Sequence, residues 1–255
     1  MHLARSVVAI AFVFLSSVAS SAEWGDLVGT FVFDGEPPKP AKLDVNKDLE
    51  CCGKFLDILV DESVSVGPTG GLKNVFVYLK SSPGKKVTIH PDLAQAAQPV
   101  VLDNVKCRFE PHALALWAGN QTLLVTNSDP IGHAAKMDFL KNAPVNSLLP
   151  AGAKQEFKLQ NGEALPTRVA CGVHPWESAF LKVHDSPYFA VSDENGRFTI
   201  PKLPVGEWEF QIWHEKTGYL AAKPEWTRGR FKFKIAAGEN DLGTIKTAAS
   251  LFDKK

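Results

Sequence analysis

The sequence of 255 residues has no excess of charge of either sign, since 28 basic residues balance 28 acidic ones. This balance gives no reason to expect nucleic acid or an acidic membrane surface as a partner. Methionine is scarce, with Met1 and Met137 alone. The sequence also has no Ser-His-Asp order, no pair of carboxylates suited to acid–base catalysis and no phosphate-binding glycine loop. The common hydrolase and nucleotide-binding classes are therefore not indicated.

Long apolar runs are missing after the first residues. Arg5 precedes an apolar run over residues 7–18, and small residues follow before Glu23. This pattern is typical of a signal peptide, so we expect residues 1–22 to direct export to the periplasm or the cell exterior and then to be removed. No later segment approaches the roughly 18 apolar residues of a membrane span. We therefore expect no membrane contact after the signal is removed.

The four cysteines are Cys51, Cys52, Cys107 and Cys171. An oxidising compartment favours disulfides. If Cys171 binds a metal, at most one ordinary pair remains. We expect Cys107 to bond to Cys51 or Cys52, because this link would tie the N-terminal segment to the middle of the chain. A bond between the adjacent Cys51 and Cys52 would be strained, and the sequence does not choose between the two partners of Cys107.

Short strand-like stretches separated by turns recur along the chain. Examples are residues 28–33, 74–79, 122–127, 180–183 and 207–214. Apolar and β-branched residues bounded by Gly, Pro, Asn and Asp are typical of strands. No long amphipathic helix is indicated. We therefore predict an all-β protein made of two packed β-sandwiches.

One cysteine and two histidines carry the chemistry of the chain: Cys171, His174 and the earlier His133. A soft thiolate with two imidazoles and a weak axial group is the ligand set of copper electron carriers. Glu177 stands three positions after His174 and offers a carboxylate as a further donor. Its carboxylate is a hard donor that suits Cu(II) better than Cu(I).

This order of ligands resembles the cupredoxin family over residues 98–186. The run CGVHPWE at residues 171–177 resembles the short ligand loop of the amicyanin group, Cys-x-x-His-Pro-Phe-Met. Trp176 replaces the phenylalanine and Glu177 replaces the axial methionine. The resemblance implies a Greek-key β-sandwich, one type-1-like copper ion and a redox partner protein. The ligand set with glutamate is similar in chemistry to copper proteins of the nitrosocyanin type.

Several other residues are candidates for roles near the metal. Met137 is a rival axial donor, but its position before the ligand loop favours a place in the core. His112 and His184 are predicted to lie at the surface or beside the site rather than to bind the metal. Three residues are expected to orient the ligand loops: Asn127, Pro175 and Trp176.

A second resemblance concerns the end of the chain. Residues 192–210 resemble the regulatory-like, transthyretin-like β-sandwich of carboxypeptidases, and residues 28–32 fit its opening strand. We therefore predict that residues 23–97 begin this sandwich and that 187–247 complete it. In this organisation residues 98–186 form the inserted cupredoxin-like domain, and 248–255 form a tail.

The favoured functional hypothesis is an exported mononuclear copper protein that carries single electrons between partners and is not an enzyme. Two alternatives stay open. One is a small copper enzyme with an open coordination position. The other is a metal-free module that binds carbohydrate or a protein partner.

Overall fold

The computed structural model describes residues 23–80, 86–95 and 98–253. The predicted signal peptide, residues 1–22, lies outside the described residues, as do the last two residues of the predicted tail. In the described part of the chain, we find no helix with the length and apolar character needed to span a membrane.

Strands make up most of the regular structure, so the all-β prediction is confirmed. The first two strands are β1 (Trp24–Asp34) and β2 (Phe76–Leu79). The next group is β3 (Val100–Val105), β4 (Arg108–Glu110), β5 (Ala113–Trp117), β6 (Thr122–Asn127), β7 (His133–Met137), β8 (Val145–Leu149), β9 (Lys154–Lys158), β10 (Thr167–Ala170) and β11 (Ser178–His184). The last group is β12 (Phe189–Val191), β13 (Arg197–Pro204), β14 (Gly206–His214), β15 (Gly218–Tyr219), β16 (Arg230–Ile235) and β17 (Gly238–Ala248). The helices are α1 (Leu49–Cys52), α2 (Pro91–Ala94) and the 3-10 turns Gly53–Phe55, Thr227–Gly229 and Ala249–Leu251.

The first and last groups of strands form one β-sandwich, which we call the outer sandwich. One sheet has the order β13-β1-β17, and the other has the order β12-β2-β14-β15 with β16 paired to β14. Alternate residues of β1 are buried, as the two-residue period of a strand requires. Leu27 and Phe31 of β1 share a core with Phe210 and Ile212 of the facing sheet. Each such apolar side chain stabilises the fold by about 1.5–3 kcal/mol.

Strands β3 to β11 form the middle sandwich. Its sheets have the orders β4-β3-β6-β9 and β5-β11-β10-β7-β8. Leu123 and Val125 of one sheet pack against Val169 and Leu181 of the other. Met137 is fully buried in this core, which is the position expected for it. These strands fall within residues 98–186, while the domain boundaries themselves stay a prediction.

The two sandwiches contact each other through an apolar patch that includes Phe76, Ala113 and Trp213. His184 lies at this contact, where its Nε2–H donates to the carbonyl oxygen of Leu79 at 2.7 Å. His184 is buried, so a surface position for it is wrong. His112 is also buried, and its Nε2 lies 2.6 Å from Glu215 Oε1. It is not among the residues whose donor atoms converge at the candidate metal centre.

Residues 41–61, which we call the covering segment, pack against the middle sandwich. The segment closes on itself through hydrogen bonds, one of which runs from Leu43 N–H to the Leu59 carbonyl oxygen at 3.1 Å. A disulfide joins Cys52 to Cys107, so Cys52 is the partner that the sequence left undecided. Leu59 and the two bonded cysteines form a small apolar cluster against Ile131 and Trp176. The covering segment therefore lies over the edge of the middle sandwich that carries the ligand loops.

Candidate metal centre

Two neighbouring strands bring the candidate ligands to one edge of a sheet. β7 begins at His133, and Cys171 follows directly after β10. The strands are antiparallel, with Ala170 opposite Lys136. The start of β7 and the end of β10 therefore meet at the same edge. His174 and Glu177 lie in the short connection from β10 to β11 and return to that edge.

The four candidate ligands come together as the sequence predicts. The donor atoms of His133, Cys171, His174 and Glu177 all lie within 4.8 Å of one another. The two Nδ1 atoms are 3.1 Å apart, and Cys171 Sγ is 3.8 Å from His174 Nδ1. Glu177 Oε2 is 3.0 Å from His133 Nδ1, and its Oε1 is 3.2 Å from His174 Nδ1. At most 4% of any of the four residues is exposed to solvent.

Backbone hydrogen bonds fix the ligand loop. The N–H of Cys171 donates to the Glu177 carbonyl oxygen at 3.2 Å, and the N–H of Glu177 donates to the His174 carbonyl oxygen at 3.0 Å. Cys171 Sγ accepts two further bonds, from the N–H groups of His174 and Ala134, both at 3.3 Å. The sulfur therefore receives a donor from each of the two loops. Hydrogen bonds to a ligand sulfur are one of the means by which proteins tune a copper centre.

Two aspartates face the outer nitrogens, the Nε2 atoms, of His133 and His174. Neither aspartate was predicted from the sequence. Asp129 Oδ2 lies 3.2 Å from His133 Nε2, and Asp48 Oδ2 lies 2.8 Å from His174 Nε2. A carboxylate on the far nitrogen of a ligand histidine fixes its tautomer and ring orientation. Asp129 stands four residues before His133, so the spacing alone offered a signal. Asp48 belongs to the covering segment, 126 residues before His174, and no sequence pattern points to it.

Asn127 and Trp176 take positions around the ligands. The side-chain amide of Asn127 donates to the carbonyl oxygens of Ile131 and Leu149, and its Oδ1 accepts from Asp129 N–H at 3.0 Å. These bonds shape the loop before His133. The ring of Trp176 lies against His174 with centroids 5.0 Å apart, and its Nε1–H donates to the Cys107 carbonyl oxygen at 3.1 Å. Pro175, which lies between His174 and Trp176 in the sequence, is exposed. Its ligand-orienting role stays a prediction.

The charges of the metal-free site oppose each other. Burial lowers the pKa of His133, but its contacts with Asp129, Cys171 and Glu177 outweigh burial and raise the pKa to about 11. Burial also lowers the pKa of His174, but Glu177 and Asp48 raise it to about 9. Burial raises the pKa of the Cys171 thiol and of Glu177, yet contact with His133 leaves both below their usual values. The positive charge favoured on the histidines therefore offsets the negative charge favoured on Cys171 and Glu177.

Two buried polar atoms of the site have no hydrogen-bond partner among the described residues: His133 Nε2 and Glu177 Oε1. Asp129 is at ion-pair distance from that His133 nitrogen, but the direction of the N–H misses the oxygen. Glu177 Oε1 likewise faces His174 Nδ1 without an aligned hydrogen bond. A buried polar atom without a partner costs about 1–3 kcal/mol. A ligand for Glu177 Oε1 at the centre of the site would remove part of that cost.

Part of this chain is similar to solved copper proteins. A Cu-containing nitrite reductase from Thermus scotoductus is 22% identical over 42% of this chain, with a TM-score of 0.33. A purple cupredoxin from Nitrosopumilus maritimus is 20% identical over 32% of this chain, with a TM-score of 0.27. A structure of amicyanin with Cu(I) is 15% identical over 42% of this chain, with a TM-score of 0.31.

The match covers 97% of the purple cupredoxin and 98% of amicyanin, but only 30% of the nitrite reductase. A comparison with protein-family models finds no match, and neither does a comparison with curated protein sequences. The resemblance of the chain ends to a regulatory-like sandwich stays a prediction. The functional interpretation therefore depends on the geometry of His133, Cys171, His174 and Glu177.

Proposed function

We propose that this protein binds one copper ion and carries single electrons, with His133, Cys171 and His174 as ligands and Glu177 as the fourth. One observation carries the proposal: a thiol, two imidazoles and a carboxylate, drawn from two loops, lie buried with their donor atoms within 4.8 Å of one another. A thiolate with two imidazoles is the donor set of type-1 copper sites. Copper supplies the one-electron step, from Cu(II) to Cu(I) and back.

The donor spacing fits a single ion. Four tetrahedral donors at about 2.1 Å from a metal are separated from one another by about 3.4 Å. The distances between the neighbouring donors given above run from 3.0 Å to 3.8 Å. The Nδ1 atoms of His133 and His174 face each other at 3.1 Å in the centre of the site. A single cation bound by both nitrogens fits this arrangement.

The protein's own residues prepare the site for a carrier. Asp48 is hydrogen-bonded to the outer nitrogen of His174, and Asp129 lies 3.2 Å from that of His133, so both carboxylates favour a metal on the Nδ1 side of the rings. The two N–H groups on Cys171 Sγ withdraw charge from the sulfur. Glu177 adds a negative charge, which favours the more highly charged Cu(II) and lowers the reduction potential.

Burial of all four donors favours a carrier over an enzyme, because a substrate needs an accessible coordination position. An electron needs only a short route to the surface. His174 has such a route through Asp48, whose side chain is 45% exposed. Export to the periplasm or cell exterior and a protein redox partner belong to this proposal.

Metal analysis combined with voltammetry tests the proposal. The full chain, expressed with its first 22 residues, should be isolated with copper at about one ion per chain and show one reversible one-electron wave. The same donors also suit zinc, which has no redox chemistry. Exclusive retention of zinc, or of no metal after copper is offered, would overturn the proposal. A spectrum that changes when small anions are added would favour a copper enzyme instead.

A further inference from the structure

Three sulfur atoms form a second cluster beside the candidate metal centre. The Sγ atoms of Cys51, Cys52 and Cys107 all lie within 4.8 Å of one another. Cys52 and Cys107 are joined in the disulfide, and Cys51 is a free thiol. A thiol therefore lies next to both sulfurs of a disulfide. Such proximity is required for thiol–disulfide exchange, in which a thiolate attacks one sulfur of an S–S bond.

The three sulfurs differ in their access to solvent. Cys52 and Cys107 are fully buried, whereas Cys51 is 9% exposed. Cys51 lines a cavity of about 480 Å³ together with Asp48, Lys54 and Ile131. Burial, followed by the charge of Asp129, raises the pKa of the Cys51 thiol, so the attacking thiolate is scarce at neutral pH. Exchange should consequently be slow at neutral pH and faster in mild alkali.

Chain geometry decides which sulfur Cys51 attacks. Attack on Cys52 would join two adjacent residues in a strained ring. Attack on Cys107 would instead join the covering segment to the turn between β3 and β4, which the existing disulfide already connects. Cys51 and Cys52 both lie in α1, a single turn whose N–H groups share the carbonyl oxygen of Asp48. Exchange of the two sulfurs therefore requires movement of this turn alone to bring Cys51 Sγ to Cys107.

We propose that Cys51, Cys52 and Cys107 form a thiol–disulfide exchange site with two alternative pairings. The Cys51 thiolate attacks Cys107 Sγ, the Cys52–Cys107 bond breaks, and a Cys51–Cys107 bond forms. Cys52 leaves as a thiolate and takes up a proton, which replaces the one lost from Cys51. The number of disulfides is unchanged, so no external oxidant or reductant is needed.

The exchange site is connected to the candidate metal centre on two sides. Asp48, whose carboxylate faces His174, immediately precedes α1. The N–H of Cys107 donates to Asp129 Oδ2 at 2.8 Å, and this oxygen faces His133. Changing the pairing therefore repositions the segment that supplies Asp48. The exchange itself needs no metal, so its test is independent of the proposed copper function.

Differential labelling of the purified full chain tests the exchange. The protein is incubated with a chelator and without oxygen at about pH 8.5, where thiolate forms, and samples are quenched with acid. Free thiols are labelled in denaturant at low pH with a maleimide, and the remaining cysteines are reduced and given a second label. Trypsin releases residues 48–54 with both Cys51 and Cys52 in one peptide. Fragmentation between them shows which one was free.

We expect the first label on Cys51 at the start and, with time, on Cys52 in at least about a tenth of the molecules. Cys171 lies in another peptide and serves as the reference for a thiol that does not exchange. If the first label is found only on Cys51 and Cys171 after prolonged incubation, the proposal is wrong.

Two matched variants provide a second test of the exchange. In Cys52→Ser, we expect a Cys51–Cys107 disulfide, which leaves Cys171 as the single free thiol. In Cys51→Ser, the Cys52–Cys107 disulfide should persist with no label on Cys52 at any time. Three free thiols in folded Cys52→Ser protein would contradict the alternative pairing. If Cys52→Ser does not fold, the labelling of the unmodified chain decides between two alternative pairings and a single fixed one.

Discussion

Asp48 Oδ2 lies 2.8 Å from His174 Nε2, so a carboxylate of the covering segment holds the outer nitrogen of a candidate ligand. A carboxylate at this position favours a proton on Nε2, which leaves Nδ1, the nitrogen nearer Cys171 and Glu177, to bind a metal. The covering segment therefore contacts the candidate metal centre through Asp48. It also contacts the ligand loop through Lys47, which donates to the Val173 carbonyl oxygen at 3.1 Å.

Replacing Asp48 should weaken metal binding. In Asp48→Ala, the His174 ring loses the partner that orients it, and we expect the dissociation constant for copper to rise about 10–100-fold. Competition with a chelator of known affinity measures the change. Asp57→Ala, at an exposed aspartate of the same segment, is the control and should leave the affinity unchanged. Equal affinities for the Asp48→Ala and control proteins would show that the contact does not support the site.

Replacing Glu177 should raise the reduction potential. Glu177→Gln keeps the size of the side chain but removes its charge, and Glu177→Met adds the soft donor of the amicyanin-type loop. Both changes disfavour Cu(II) relative to Cu(I), so we expect a rise of at least about 59 mV, a tenfold change for one electron. The Met variant should exceed the Gln variant in this rise. Voltammetry measures it, and an unchanged potential in both would mean that Glu177 does not interact with the metal.

Three of the candidate ligands could be grouped from the sequence because Cys171, His174 and Glu177 share one short loop. His133 stands in a separate motif, and it was grouped with them through the resemblance to the cupredoxin ligand order. Asp48 was out of reach, since its contact depends on the packing of a segment with little regular structure. The partner of Cys107 was undecided for a similar reason, because adjacent cysteines differ only in the direction of their side chains within α1.

His112 and His184 show that the sequence does not reveal the partners of a single histidine. The expectation for both was a place at the surface or beside the site. His112 instead pairs with Glu215 across 103 residues, and His184 spans the contact between the sandwiches. Such partners come from strands of different sheets, so the strand pattern gives no information about them.

Acid should destabilise the fold through His184. Burial, and after it the charge of Lys182, lowers the pKa of His184 to about 4. The unfolded chain binds this proton near pH 6.5, so stability is fully present above that pH and is lost as the pH falls toward 4. The loss for this one group is about 3 kcal/mol.

The substitution His184→Gln tests this pH dependence. The variant cannot be protonated, so the difference in unfolding free energy between it and the unmodified protein should narrow by about 3 kcal/mol from pH 8 to pH 4. Urea unfolding of both proteins with a chelator present gives the two curves. His214, whose pKa is also lowered to about 4 by burial, contributes equally to both. Parallel curves would contradict a buried neutral His184.

Loss of the disulfide should destabilise the protein strongly. The bond closes a loop of 55 residues, for which the entropic contribution is about 4 kcal/mol. Cys107→Ser removes both pairings and should lower the free energy of unfolding by about this amount. Cys52→Ser should lose less, because Cys51 can replace the missing sulfur. Urea unfolding measures both, and equal losses in the two variants would mean that only one pairing stabilises the fold.

Copper titration of the metal-free protein, followed by optical absorption, tests the central claim most directly. We expect a thiolate-to-copper band that grows linearly and stops at one equivalent of Cu(II), because Cys171 is the single thiolate among the four donors. Cys171→Ser should remain folded and show no such band. A folded protein that takes up copper without this band, or takes up none, would contradict a copper centre at these four residues.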